Sequence, residues 1–154
     1  MHTTLHSLIT NNINTLIRLP YSFVKVTGID AEKFLQGQFT CDVTTTNNEA
    51  LQFGTVNSPK GRMYGLFKMV RIDNGFLIRL ESSTVELLIR NLSKYKVFFK
   101  CEIKIEEHLS AFAYSPLKSN EEGFPERGNQ LLHINSEFIS RTSDKQSLFE
   151  IWSP

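Results

Sequence analysis

The chain is short of the residues that usually mark a catalyst, a metal protein or a membrane protein. Of its 154 residues only two are cysteines, Cys41 and Cys101. Neither stands in a C-x-x-C pair or near a histidine at ligand spacing. That excludes the familiar zinc and dithiol motifs and leaves two reduced thiols as the expectation. No run of 18 apolar residues occurs, so no helix is expected to span a membrane. The four histidines, His2, His6, His108 and His133, neighbour no nucleophile motif, and G-x-S-x-G, H-E-x-x-H, G-x-G-x-x-G and the P-loop are all missing. Acidic residues are absent before Asp30, yet the only strong cations in that stretch are Arg18 and Lys25. An apolar signal core is missing too. The acid-poor, Ser/Thr/Asn-rich start is only faintly like a mitochondrial presequence. The expectation is an ordinary N-terminal arm and a cytoplasmic protein rather than a mitochondrial one.

Charge of one sign is also lacking. Seventeen basic residues against sixteen acidic ones leave a net charge of +1, so no global field recruits nucleic acid or membrane. What is present is ordinary for a globular chain: 40% hydrophobic and 21% charged residues, in a length that can bury a core. Trp152 and the twelve phenylalanines read as core rather than as a stacking platform.

Periodicity predicts the elements. Leu5, Leu8, Ile9, Ile13, Leu16 and Ile17 recur at helix-like spacing, weakened by Asn11, Asn12 and Asn14. Tyr21–Thr27 is β-branched and aromatic and reads as a strand ending at Gly28. Asp30 reads as the N-cap of a short helix that carries Ala31, Phe34 and Leu35 on one face and ends near Gly37. Residues 39–49 read as a polar turn. Leu51–Val56, Arg62–Ile72 and Phe76–Glu81 form a three-stranded meander, joined by the turn Ser58-Pro59-Lys60-Gly61 and by Asn74-Gly75. Ser83-x-x-Glu86 is a capping box opening a helix over 84–95, with Val85, Leu88, Ile89, Leu92 and Tyr95 toward the sheet. Val97–Phe99 and Cys101–Ile105 read as strands. Beyond Glu107, Leu109–Tyr114, Leu131–Ile134 and Glu137–Arg141 read as strands, 115–129 as a loop, and Leu148–Trp152 as the start of a helix cut short by the chain end. The fold class is α+β, an antiparallel sheet with packed helices. The domains are expected at 1–107 and, incomplete, at 108–154.

Two stretches carry candidate chemistry. In 57-NSPKGRMYGLFKMV-70, Gly61 permits close backbone approach of a ligand, and Lys60 and Arg62 attract carboxylate or phosphate. Strand alternation puts both cations on one face beside Tyr64. In 34-FLQGQFTCDV-43, an extended chain would line up Gln36, Gln38, Thr40 and Asp42 on one side, as groups able to read a heteroaromatic ring edge. On spacing alone, both stretches also fit a hairpin tip and a self-bonded polar loop, and Thr40 and Asp42 are turn-formers. A third feature, Arg90, Lys94, Lys96 and Lys100, reads as a solvated helix face, so direct nucleic-acid contact is not expected.

The blocks 26-VTGIDAEKFLQGQFTCDV-43, 59-PKGRMYGLFKMVR-71 and 92-LSKYKVFFK-100 resemble, in order and spacing, the N-terminal part of the YgfZ-type folate-binding proteins, relatives of the glycine cleavage T protein (aminomethyltransferase). The resemblance covers about residues 20–115 well and the rest loosely. It implies a tetrahydrofolate-binding fold and a role in maintaining iron–sulfur enzymes and, through them, tRNA modification. It implies ligand-facing roles for Gln36, Gln38, Thr40, Asp42, Lys60, Gly61, Arg62 and Tyr64. Two departures matter. The aminomethyltransferases carry an acidic pair where this chain has Gly65 and Leu66, so autonomous methylene transfer is not expected. The K-G-C-Y-x-G-Q-E block of YgfZ-type proteins is missing, which points to a truncated chain whose partner is its absent half, a second copy or an iron–sulfur client. The alternatives are an interaction or dimerisation module and, behind it, an aminomethyltransferase-like enzyme.

Overall fold

The computed structural model describes residues 16–116 and 123–154, and the chain divides into two compact units. One unit is Tyr21–Glu107; the other takes the segment up to Pro20 together with His108–Pro154.

The Tyr21–Glu107 unit is a five-stranded antiparallel sheet under a helix. Its strands are β2 (Tyr21–Thr27), β3 (Gln52–Asn57), β4 (Met63–Ile72), β5 (Gly75–Glu81) and β6 (Glu102–Ile105), in the order β3-β4-β5-β2-β6. The helices are α1 (Ala31–Gln36) and α2 (Val85–Lys96). Alternation in β2 sends Val24 and Val26 to the side that also receives Phe67, Met69 and Ile78. There they meet Phe34 of α1 and Leu88 and Leu92 of α2 in one buried cluster. Burying a side chain the size of Phe34 or Leu88 stabilises the fold by about 1.5–3 kcal/mol.

Local details differ from the sequence expectations in five places. Asp30 precedes α1 but does not cap it; its Oδ2 accepts the Lys100 N–H at 2.8 Å, tying α1 to the chain before β6. The Ser83–Glu86 capping box does not form, because Ser83 donates to Glu81 and Ser82–Thr84 make a 3-10 turn. The tight turn after β4 is Asp73-Asn74, with Asn74 at φ 61°, while Gly75 is already the first paired residue of β5. Residues 97–99 are a turn, not a strand. Phe99 goes inward to meet Phe34 with ring centroids 5.2 Å apart, which leaves Val97 and Phe98 outside. Tyr95 likewise falls off the buried stripe of α2 and is exposed.

The other unit is a second five-stranded antiparallel sheet, β1-β7-β10-β9-β8. Its strands are β1 (Leu16–Leu19), β7 (Ser110–Tyr114), β8 (Leu131–Ile134), β9 (Glu137–Ser143) and β10 (Gln146–Ser153). The helix expected at Leu148–Trp152 is therefore a strand. β10 is hydrogen-bonded on both edges, and Phe149 to Ser153 are all buried, so no alternation betrays its period. Leu16 and Ile17, read as the end of an N-terminal helix, lie in β1; the rest of that helix, and residues 117–122 of the expected loop, lie outside the described residues. In this unit's own core Tyr114 stacks on Phe124, and Phe149 packs against both at a tilt.

Candidate functional site

The turn that follows β3 forms as its residue types dictate. Pro59 presets the second position, Gly61 takes φ 75°, and the Gly61 N–H donates to Ser58 O at 2.9 Å. A second bond, from Ser58 N to Arg62 O at 2.8 Å, closes the loop. Lys60, Gly61 and Arg62 are all exposed. No atom lies within 4 Å of a Cβ built on Gly61, so the backbone there is open to approach. Neither Lys60 nor Arg62 has an ion-pair partner among the described residues, whereas Lys25 is paired with Glu106 and Arg71 with Glu32.

Tyr64 does not stay beside them. Val56 pairs with Gly65 and Asn57 with Met63, so Tyr64 is the extra residue of a β-bulge. A bulge breaks the alternation that would have kept Arg62 and Tyr64 on one face. Tyr64 instead packs against the helix-covered cluster. Burial there pushes its phenol up, offset in part by a hydrogen bond with Asn91 of α2.

The opposite sheet face is open beside the turn. Leu66 is 57% exposed and Phe53 46%, and they flank Thr55, the residue paired with Leu66. The Lys68 ammonium lies 5.4 Å from the Phe53 ring centre, a cation–π contact. Gly65 and Leu66 bring no carboxylate to this face.

The block from Gln36 to Asp42 is not an extended row. Gln36 ends α1 and its Oε1 accepts the Val43 N–H at 2.7 Å. Asp42 caps the 3-10 turn Val43–Thr45 through the Thr44 N–H, 3.1 Å, and hydroxyl, 2.6 Å. Thr40 Oγ1 accepts the Thr55 N–H at 2.9 Å and meets the Thr55 hydroxyl at 3.0 Å. These three side chains lace the loop to itself and to β3. Gln38 is half-buried in the turn after α1. The exposed Phe53 and Leu66 were missed in the sequence, and their signal is the alternation of Phe53 and Thr55 against Gly54 and Val56 in β3.

A separate open cleft of about 470 Å³ is lined by Thr27, Gly28, Asn74, Phe99, Lys100, Cys101 and Glu102. Cys101 is buried there and Cys41 half-buried; both thiols are free, and burial pushes both up from the usual thiol range. No helix among the described residues is long and apolar enough to cross a membrane.

No family model matches the chain. The fold is that of the aminomethyltransferases. The glycine cleavage system aminomethyltransferase T of Bartonella henselae superposes with a TM-score of 0.76 at 17% identity, over 90% of this chain and 41% of that one. In sequence, the chain is similar to proteins named "tRNA-modifying protein YgfZ". That of Vibrio vulnificus is 31% identical over 84 residues, 54% of this chain and 26% of the relative. That of Aliivibrio fischeri is 28% identical over 89 residues, 58% and 28% respectively. That of Colwellia psychrerythraea is 29% identical over 93 residues, 60% and 29%. The resemblance to YgfZ-type proteins read from the motifs therefore holds, and the matched stretch spans between a quarter and a third of those relatives' length.

Proposed function

We propose that this chain supplies the folate-binding N-terminal part of a YgfZ-type protein, acting in the cytoplasm in the upkeep of iron–sulfur enzymes and the tRNA modification that depends on them. The observation that carries the reading is the juxtaposition of two unpaired cations, Lys60 and Arg62, with the open apolar face at Phe53 and Leu66. The donor set fits a reduced folate: a flat pterin needs an apolar wall, and a glutamate tail needs cations. Gly61 admits the ligand close to the backbone. Gln38 stands as the amide of the 36–42 block that is not committed to a loop bond among those described. Gln36, Thr40 and Asp42 serve by fixing the shape of the loop, and Tyr64 by fixing β4 against α2. With Gly65 and Leu66 where the aminomethyltransferases carry acids, the chain holds folate rather than turning it over. Its partners are an iron–sulfur client and either a second copy or further chain.

Thermal unfolding in the presence of tetrahydrofolate tests the reading. Ligand at a hundred times its Kd stabilises a folded protein by about 2.7 kcal/mol, so the midpoint rises with folate concentration. A midpoint indifferent to folate sinks the reading and leaves an interaction module.

A further inference from the structure

We propose that the turn following α2 binds single-stranded RNA, with Phe98 as a stacking platform and Arg90, Lys94, Lys96 and Lys100 as phosphate contacts. From Leu87 to Cys101 the chain carries these four cations and no acid. None of the four closes an ion pair among the described residues, whereas Lys25, Arg71 and Lys104 each do. The nearest carboxylate influence is on Lys96, which lies close enough to Glu102 to join Lys104 in holding that carboxyl below its usual range. Lys94 donates to the Asn91 side-chain oxygen at 3.1 Å, a neutral partner that leaves its charge uncompensated.

Phe98 is 80% exposed, well beyond Phe53 and Tyr95, and its neighbour Val97 is 78% exposed. The exposure is built in. Val97 keeps helical dihedrals, and the Phe98 and Phe99 N–H groups donate back to Tyr95 and Lys96. Phe99 turns inward onto Phe34, which sends Phe98 outward. Lys100 is then tied twice to Asp30, its N–H to Oδ2 at 2.8 Å and its carbonyl from the Asp30 N–H at 3.3 Å. The ring is thus presented on a turn anchored at both ends, at little ordering cost on binding. The same tie brings Ile29, 85% exposed, to this end of the unit.

A rigid exposed ring interleaved with unpaired cations suits an unstacked base and its flanking phosphates. A membrane surface suits it less. An interfacial helix needs a free apolar face, and Val85, Leu88 and Leu92 of α2 are already buried against the sheet. The patch itself does not choose RNA over DNA; that choice rests on the reading given above.

The test is fluorescence anisotropy of a labelled oligouridine of about 12 nucleotides. Each phosphate neutralised on a single strand contributes about 0.7 to the log–log salt slope. Four contacts therefore predict a slope near −3 between about 50 and 200 mM salt, falling by about 0.7 in Lys94→Ala or Lys100→Ala. Phe98→Ala should weaken binding by about five- to a hundredfold and leave the slope unchanged, since the ring carries no charge. Its side chain is exposed, so its melting temperature should match the parent. Lys60→Ala should bind oligouridine as the parent does, which separates this proposal from the folate reading. The proposal is overturned by no saturable binding at the lowest salt, by binding that Phe98→Ala does not alter, or by tighter binding of oligodeoxythymidine. Phe98-dependent binding to phosphatidylcholine vesicles containing one-third phosphatidylglycerol, without oligouridine binding, also overturns it.

Discussion

Replacing Gly75 by alanine should unfold the Tyr21–Glu107 unit far more easily than replacing Gly65 or Gly61. Gly75 is the first residue of β5 and stands opposite Thr27 of β2. A Cβ there would stand 2.8 Å from Thr27 Cα and 3.0 Å from Val26 C, and nearer still to Val26 O. Ordinary contact begins at 3.4 Å, so the two strands must part by at least 3.4 − 2.8 = 0.6 Å. These obstacles are backbone atoms, which cannot swing aside. Such a separation takes the Gly28 N–Asn74 O bond from 2.9 Å to the edge of bonding distance. Losing that bond costs about 1 kcal/mol, and overpacking adds about 1–3 kcal/mol. The sum is about 3 kcal/mol, a drop in midpoint of about 10–20 °C for a unit of this size. Gly61→Ala meets no atom and pays only for its left-handed backbone, about 1 kcal/mol. Gly65→Ala has room, its nearest neighbour being Val56 Cγ2 at 3.9 Å. Circular-dichroism melts of the three variants give the comparison. A Gly75→Ala midpoint within a few degrees of Gly65→Ala would refute the close-approach reasoning.

Other perturbations have equally definite outcomes. Leu88→Ala empties a site at the centre of the helix–sheet cluster and should cost about 2–5 kcal/mol, read from urea midpoints. Asp42→Ala removes the cap of the 3-10 turn and should cost about 1 kcal/mol, whereas Asp42→Asn should recover most of it. Cys41, Cys101, Tyr64 and Tyr114 all have their proton loss pushed up by burial. The folded state therefore holds protons that the unfolded state has already released. The contribution of these four groups should be level below the ordinary thiol range and fall as pH rises through it and beyond, and urea midpoints that stay flat from neutral to strongly alkaline pH would contradict this.

Much of the fold was legible because local chemistry and burial agreed. β2 was bounded by Pro20 and Gly28, and the Ser58–Gly61 turn by Pro59 and Gly61, so pattern and punctuation coincided. The failures came where tertiary contacts overrode local pattern. Val97–Phe99 has strand composition, but only Phe99 finds a partner, and the segment is a turn. β10 has no period because all of Phe149–Ser153 is buried, including Glu150, whose Oε1 accepts the Trp152 indole N–H at 2.8 Å. At the candidate site, the turn that carries the exposed Lys60 and Arg62 was legible from its Pro and Gly positions. The bulge that turns Tyr64 toward α2 was not, because it depends on the pairing of β4 with β3. Nor was the lacing of Gln36, Thr40 and Asp42, whose side chains suit a ligand pocket and a self-bonded loop equally well.

The most direct measurement is a calorimetric titration of tetrahydrofolate into the purified chain, beside the Lys60→Ala/Arg62→Ala double variant. Both side chains are exposed and unpaired, so the variant should melt with the parent. The expected result is saturable binding to the parent that the double variant weakens by about tenfold or more, the worth of one or two charge-assisted contacts. Saturable binding that the double variant leaves unchanged would contradict a folate site at this turn, and no binding to the parent would contradict a folate site in this chain.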